Sequence, residues 1–306
     1  MNNPTTGMQA AAPVPFAGAV LLMVFSVTFF TVSHGAVRGV GSAIHPFEIA
    51  FFTSLFSFFI YLPWLVRSGF KPLRTTKLRW HIVRAFFNAG AVATWYMALT
   101  VTPLADATAL GLTGPLFVTL GGILFIGEPA QLRRWTGLGV GLLGALVIVR
   151  PGFEAFSIGF LYVFVSVIMS SGSRIFAKLL TRWDSPGTIG ALVALLQIPI
   201  TLIMAAPYWQ WPDLTQWGLL AAIGLLVGGA HFTMAAAYSR ADVGALEPLN
   251  FMRLIIAALI GFFIFSEVPD LWTWIGGAVI ITATSYIARR EAVKSPGLKT
   301  PPNDPL

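Results

Sequence analysis

The chain contains no cysteine. Disulfides, thiolate metal sites and a cysteine nucleophile are therefore excluded, and the redox compartment leaves no trace in the composition. Charge is scarce too: Asp, Glu, Lys and Arg make up 10% of the 306 residues. That is too little to solvate the two soluble domains a chain of this length would otherwise make. No Gly-x4-Gly-Lys-Ser/Thr loop is present, so ATP-driven transport by this chain is not expected. Neither His-Glu-x-x-His nor Gly-x-Ser-x-Gly occurs, and the four His, at 34, 45, 81 and 231, are scattered. A membrane-embedded enzyme would need convergent nucleophile, acid/base or metal groups, and no cofactor and no metal site are expected. The first twelve residues hold no Lys or Arg, so they lack the basic region of a cleavable signal peptide.

What is present is apolar: 56% of the residues are hydrophobic and the mean hydropathy is +0.79. A bilayer core about 30 Å thick needs roughly 20 apolar residues per helix. Ten runs meet that need, at about 16–37, 47–66, 81–101, 104–126, 134–149, 158–179, 186–206, 215–237, 243–265 and 270–288. The fifth is short. The net charge of +7 does not point to nucleic acid, because the basic residues sit mainly between the apolar runs, where they read as topology signals. With the amino terminus in the cytoplasm, fourteen Lys and Arg fall on the inner side and two, Arg38 and Arg150, on the outer side. The positive-inside rule then places both termini in the cytoplasm of a bacterial inner-membrane protein.

A shift of 139 positions lays Gly90–Arg150 over Gly229–Arg289 with 14 of 61 residues identical, including Glu128 with Glu267, Trp135 with Trp274 and Gly137 with Gly276. Lipid solubility does not demand Glu, Trp and Gly, so the match reads as an internal duplication. Each copy holds five spans, and an odd number forces the second copy to lie upside down. The expected fold is an all-α polytopic membrane protein: ten transmembrane helices as two inverted five-helix repeats. Its expected parts are a disordered tail at 1–15, a first repeat at 16–150, a second at 151–290, and a disordered cytoplasmic tail at 291–306. Inverted repeats of this kind recur in secondary transporters, with the substrate near midplane between the halves.

Polar groups at mid-membrane depth are costly unless they pair or face water, which makes them functional candidates. Glu247, Asn250 and Arg253 fall at spacing three on the ninth span. The eighth brings His231 and Tyr238, the third Asn88 and Trp95, the fourth Thr113 beside Gly114-Pro115, and the sixth Ser170. Substrate contact is assigned to Asn88, Trp95, Thr113, Ser170, His231, Tyr238, Asn250 and Arg253, and coupling to Glu247 and His231, whose pKa burial can move towards neutrality. Plainer readings stand beside these. A lone His usually satisfies an interior hydrogen bond, serines pack small, and Pro115 bends a helix. Gly137, Gly141 and Ala145, and Gly224 with Gly228, read as close helix contacts. Glu128 and Glu267 read as carboxylates complementing the dipole of the helix that follows each. The partners implied are a small-molecule substrate, the lipid bilayer, and protons or an exchanged metabolite; nucleic acid is not among them, and the oligomeric state is open. A channel or a lipid-facing scaffold are the remaining alternatives.

The residues from Pro103 to Pro115, Gly127-Glu128 followed by Trp135 and Gly137, and Arg240-Ala-Asp-Val through Ser266-Glu267 resemble the EamA-type branch of the drug/metabolite transporter superfamily. The resemblance implies a permease for a small organic metabolite, with a central cavity built by the first, third, fourth, sixth, eighth and ninth spans. His45-Pro-Phe-Glu-Ile-Ala-Phe-Phe, Trp80-His-Ile-Val-Arg84 and Phe265-Ser-Glu-Val-Pro-Asp270 are most similar to a bacterial branch that includes S-adenosylmethionine uptake carriers. That branch commonly follows the Phe-Phe with Arg, where this chain has Thr53. Other members move amino acids, riboflavin or other metabolites, some of them outward, so an exporter of the same fold is the alternative.

Overall fold

The computed structural model describes residues 16–41, 43–126, 132–150, 157–241 and 246–294, with the backbone alone for residues 16, 126, 132–134, 247 and 287–294. The tail at 1–15, the Gly127-Glu128 turn and the tail residues 295–306 lie outside the described residues. Among the described residues eleven helices follow one another: α1 (Phe16–Val40), α2 (Pro46–Arg67), α3 (Leu78–Val101), α4 (Leu104–Gly111), α5 (Gly114–Gly121), α6 (Leu132–Val149), α7 (Ile158–Leu180), α8 (Pro186–Ala205), α9 (Leu214–Tyr238), α10 (Met252–Phe265) and α11 (Leu271–Lys294). No strand occurs among the described residues. Eight segments are long and apolar enough to cross a bilayer, with α4 and α5 counted as one, and α6 adds a shorter apolar helix, Trp135–Val149. With α11 the spans number ten.

Local signals fix where these helices begin. His45 accepts the Phe47 amide on Nδ1 ahead of Pro46 at the start of α2, and Ser185 accepts the Thr188 amide ahead of Pro186 at the start of α8. Asp213 and Gln216 form a reciprocal capping box on α9. Each cap satisfies amides that have no partner inside the helix.

Two spans differ from the continuous helices expected. The fourth breaks at Leu112–Thr113, because Pro115 has no N–H to return to the carbonyl of Gly111. Thr113 turns its hydroxyl to the carbonyl of Leu110 at 2.6 Å, and after α5 the chain widens into a π turn over Gly122–Ile126. The ninth span enters through a 3-10 turn, Glu247–Phe251, with Pro248 at its start, before α10 takes over at Met252. Glu247 and Asn250 therefore stand one 3-10 turn apart, and Arg253 opens the α-helical part.

The packing has an internal two-fold. The third span (α3) lies along the sixth (α7) as the eighth (α9) lies along the first (α1). The second (α2) packs on the eighth as the seventh (α8) packs on the third, and the fourth (α4–α5) packs on the sixth as the ninth (α10) packs on the first. The pairs α2 with α8, α4 with α10 and α6 with α11 cross the axis itself. Exchanging the five-span halves maps this set of contacts onto itself, as two inverted repeats require. At the α6–α11 crossing a Cβ on Gly144 would meet the Gly276 carbonyl at 2.9 Å, and one on Gly276 would meet the Gly144 carbonyl at 2.6 Å. On the perimeter, Phe125, Phe263 and Ile203 are 80%, 75% and 73% exposed, which is tolerable only where acyl chains cover them.

Successive connections alternate between the two ends. At one end Arg38 of α1 donates to the carbonyls of Leu99 and Thr102 and pairs with Glu267 of the α10–α11 turn, Arg150 pairs with Asp270 at 2.5 Å, and Glu48 accepts the Gln210 amide. At the other, Asp184 of the α7–α8 turn receives Thr75 and His81 from the α2–α3 side.

Candidate substrate site

The centre of the bundle is built from aromatic faces. Phe30 and His34 are one helical turn apart on α1, with rings 6.3 Å apart. Trp95 of α3 packs against His34 at 5.3 Å and His231 of α9 meets Phe30 edge-on at 4.8 Å. The Arg253 guanidinium lies 5.0 Å over the same Phe30 ring, where a ring quadrupole attracts a cation. Gly111, at the end of α4, leaves the room that the Trp95 indole occupies: a Cβ there would sit 2.9 Å from the ring. The break in the fourth span thus lies beside the tryptophan.

Hydrogen bonding decides which edges remain available. His231 Nδ1 lies 2.9 Å from the carbonyl of Val227, which can only accept, so Nδ1 carries the proton and the neutral ring keeps an open lone pair on Nε2. The ring retains accessible surface although protein surrounds it, with Arg84 and Arg253 within electrostatic reach. Trp95 Nε1 is buried and has no hydrogen-bond partner among the described residues. One donor and one acceptor with no partner among the described residues therefore flank the Phe30–His34 wall.

A second polar group lies towards the Asp184 end. Asn88 donates from Nδ2 to Gln197 Oε1 at 2.5 Å and accepts the Ser173 hydroxyl on Oδ1 at 3.4 Å, tying α3 to α7 and α8. Arg84, one turn earlier, donates to the carbonyl of Ile189 at 2.5 Å. Both ends of the Asn88 amide are engaged by protein, so it holds three helices together.

The other residues singled out in the sequence fall in different places. Thr113 is fully buried at the helix break. Ser170 bonds back to the carbonyl of Val167 at 3.0 Å, whereas its neighbour Ser171 reaches across to the carbonyl of Gly114. Tyr238 packs with the small core around Met23 and Leu246, and Asn250 sits half-buried in the 3-10 turn. The Glu247 side chain lies outside the described residues. The structure thus gathers Trp95, His231 and Arg253 and adds Phe30 and His34, which sequence reasoning passed over because a Phe and a lone His on an apolar helix carry no pattern. Among the described residues no three His, Asp or Glu converge as metal ligands.

Glu267 departs from its expected role. Its Oε2 accepts the Leu104 amide at 3.0 Å, so it caps α4 of the first repeat and not the helix that follows it, while Oε1 pairs with Arg38. Ser266, left-handed at φ 56°, ends α10, and the Glu267 amide returns to the carbonyl of Gly261. That turn aims the carboxylate across the repeat boundary.

Comparison with known proteins agrees with this architecture. A riboflavin transporter of Brucella anthropi is 32% identical over 266 residues, covering 84% of this chain and 92% of that one. An S-adenosylmethionine uptake transporter of Rickettsia bellii is 30% identical over 251 residues, covering 82% and 86%. A solved crystal structure superposes with a TM-score of 0.60 at 20% identity over 90% of this chain and 99% of that one, a likeness of fold. The EamA-like transporter family matches twice, over residues 17–150 and 157–289. Two copies of one family unit spanning nearly the whole chain, with transporters as relatives at 30% identity or more, make this chain a small-metabolite transporter of the EamA-like transporter family.

Proposed function

We propose that the chain is a secondary permease of the bacterial inner membrane, not an enzyme, and that it moves a small metabolite bearing a flat heteroaromatic ring by rocking of its two repeats. The observation that carries this reading is the placement of Trp95 and His231 on either side of the Phe30–His34 wall, one with an open donor and one with an open acceptor. A ring with hydrogen-bonding edges suits such a set of groups better than an aliphatic amino acid does, because it matches aromatic faces and polar edges together. Riboflavin and S-adenosylmethionine, named for two relatives, both carry fused nitrogen heterocycles. In this reading Trp95, His231 and Arg253 touch the substrate, Asn250 and Tyr238 line its path towards the Asp184 end, Asn88, Thr113 and Ser170 shape the walls, and His231 with Glu247 carries any proton coupling. The excess of Lys and Arg at the Asp184 end supports a cytoplasmic placement of that end and of both termini.

The test is uptake and counterflow in proteoliposomes against a panel of flavins, purine derivatives, amino acids and sugars, with and without a pH gradient. Saturable counterflow confined to heteroaromatic compounds is expected. Trp95→Ala and Arg253→Ala should each lower it at least tenfold at normal expression, a loss of about 1.4 kcal/mol. Counterflow by aliphatic compounds alone, or unchanged transport in both variants, overturns the proposal.

A further inference from the structure

At the Asp184 end, where α3 begins and α7 finishes, the surface carries a cavity of about 90 Å³ lined by Trp80, Phe176, Leu179, Leu180 and Trp183. Its volume equals roughly three waters, far below that of a metabolite site. Trp80 lies nearly parallel to Phe176 with ring centres 5.8 Å apart, and Trp80 and Trp183 remain 36% and 52% exposed.

Cations stand on the rims of this cleft. Lys77 Nζ lies 5.0 Å over the Trp183 ring, and the Arg79 guanidinium lies 5.2 Å over the Trp80 ring. Arg182 is exposed beside Trp183. The nearest described carboxylate, Asp184, is already committed, since its Oδ2 accepts the Thr75 hydroxyl at 2.7 Å and lies 2.9 Å from Nε2 of the fully buried His81. Those two bonds also fix the walls, because Asp184 follows Trp183 while Thr75 and His81 bracket Lys77, Arg79 and Trp80. The result is a rigid apolar slot with indoles at its mouth and cations over the indoles. Indoles settle at headgroup depth, and cations in that layer meet lipid phosphates.

We propose that this cleft is a binding site for an anionic phospholipid, with the phosphate between Lys77 and Arg79 and an acyl chain along Trp80, Phe176, Leu179 and Trp183. The lipid lies across the α3–α7 seam and joins the first repeat to the second. Neither the site nor its test depends on which metabolite is carried.

The experiment is native mass spectrometry of the full chain, purified in mild detergent and titrated with phosphatidylglycerol or phosphatidylcholine. The parent should retain phosphatidylglycerol preferentially. Lys77→Gln with Arg79→Gln should lower that retention roughly fivefold for each charge removed, to the phosphatidylcholine level. Lys71→Gln with Arg74→Gln removes two cations from the same end outside the cleft and should change retention less than twofold. Lys77→Arg with Arg79→Lys keeps the charge and should preserve it. Equal retention of both lipids by the parent, equal losses in the two Gln pairs, or a loss in the charge-conserving pair overturns the proposal.

Discussion

The Arg38–Glu267 pair ties the two repeats together at one end of the bundle, and its removal should loosen that end. Glu267 joins the second repeat to the first twice, through Arg38 and through the Leu104 amide, while Arg38 also holds the carbonyls of Leu99 and Thr102. Both side chains are mostly shielded, at 19% and 17% exposure. Glu267→Gln keeps an oxygen for Leu104 and removes the charge that Arg38 meets. A charge-assisted bond contributes about 1.5–3 kcal/mol, and partial exposure favours the lower figure. The closed-to-open ratio should then fall about tenfold. Glu267→Ala also strips the cap from α4, at a further cost of about 1 kcal/mol. The absence of native cysteine makes the assay clean. Thr102→Cys places a thiol beneath the pair at a site 1% exposed, where the native hydroxyl has no partner among the described residues. Its reaction with a membrane-impermeant maleimide in intact vesicles should be slow in the parent, about tenfold faster with Glu267→Gln and faster again with Glu267→Ala. A rate in Glu267→Gln within twofold of the parent refutes the idea that this pair closes the end. Rapid labelling of the parent would show that the end was never closed.

Two glycines on α6 and α11 should respond with opposite signs. Gly276→Ala drives a methyl to 2.6 Å from the Gly144 carbonyl and should destabilise the detergent-solubilised protein by about 1–3 kcal/mol, whereas Gly139→Ala points into open space and should stabilise it by about 0.5–1 kcal/mol; thermal unfolding reads both, and equal effects would mean α6 and α11 do not touch. His45 gives a pH signature. Burial against Tyr208, stacked at 3.8 Å, lowers its pKa from 6.5, with Glu48 pulling the other way. The unfolded chain therefore takes up this proton first as pH falls, so the folded state loses stability as pH drops through 6.5 and the loss levels off below the folded-state pKa. The difference in melting temperature between pH 7.5 and 5 should shrink in His45→Asn, which keeps a capping side chain; an unchanged difference would place the pH dependence elsewhere.

The span count and the inversion were legible because both follow from bilayer thickness and an odd number of crossings. Of the two interrupted spans, the fourth was legible as to cause and not as to form. Pro115 marks the first place, but whether a proline bends a helix or ends it depends on the bonding around it, here the Thr113 hydroxyl donating to the Leu110 carbonyl, and the 3-10 turn at Pro248 had no reading from the sequence. The central site was half legible. Arg253 and His231 announced themselves by the cost of polarity in lipid, while Phe30 and His34 acquire meaning only once α1 lies between α3 and α9. Asn88 met the same rule as Arg253, yet its partners Gln197 and Ser173 come from helices whose contact with α3 no local pattern encodes.

The clearest missed signal was a pair of exceptions. Fourteen basic residues obey the positive-inside rule and two do not, and both dissenters, Arg38 and Arg150, are paired across the repeat boundary with Glu267 and Asp270. A cation on the side that topology disfavours needs another reason to be there. Here each sits in an ion pair that crosses between the repeats, at the end away from the basic loops. Glu267 aligns with Glu128 under the 139-residue shift, yet it reaches back to cap α4 of the opposite repeat. A carboxylate serving only the next helix would leave the halves free to part. One that crosses the axis ties the two repeats to each other at that end.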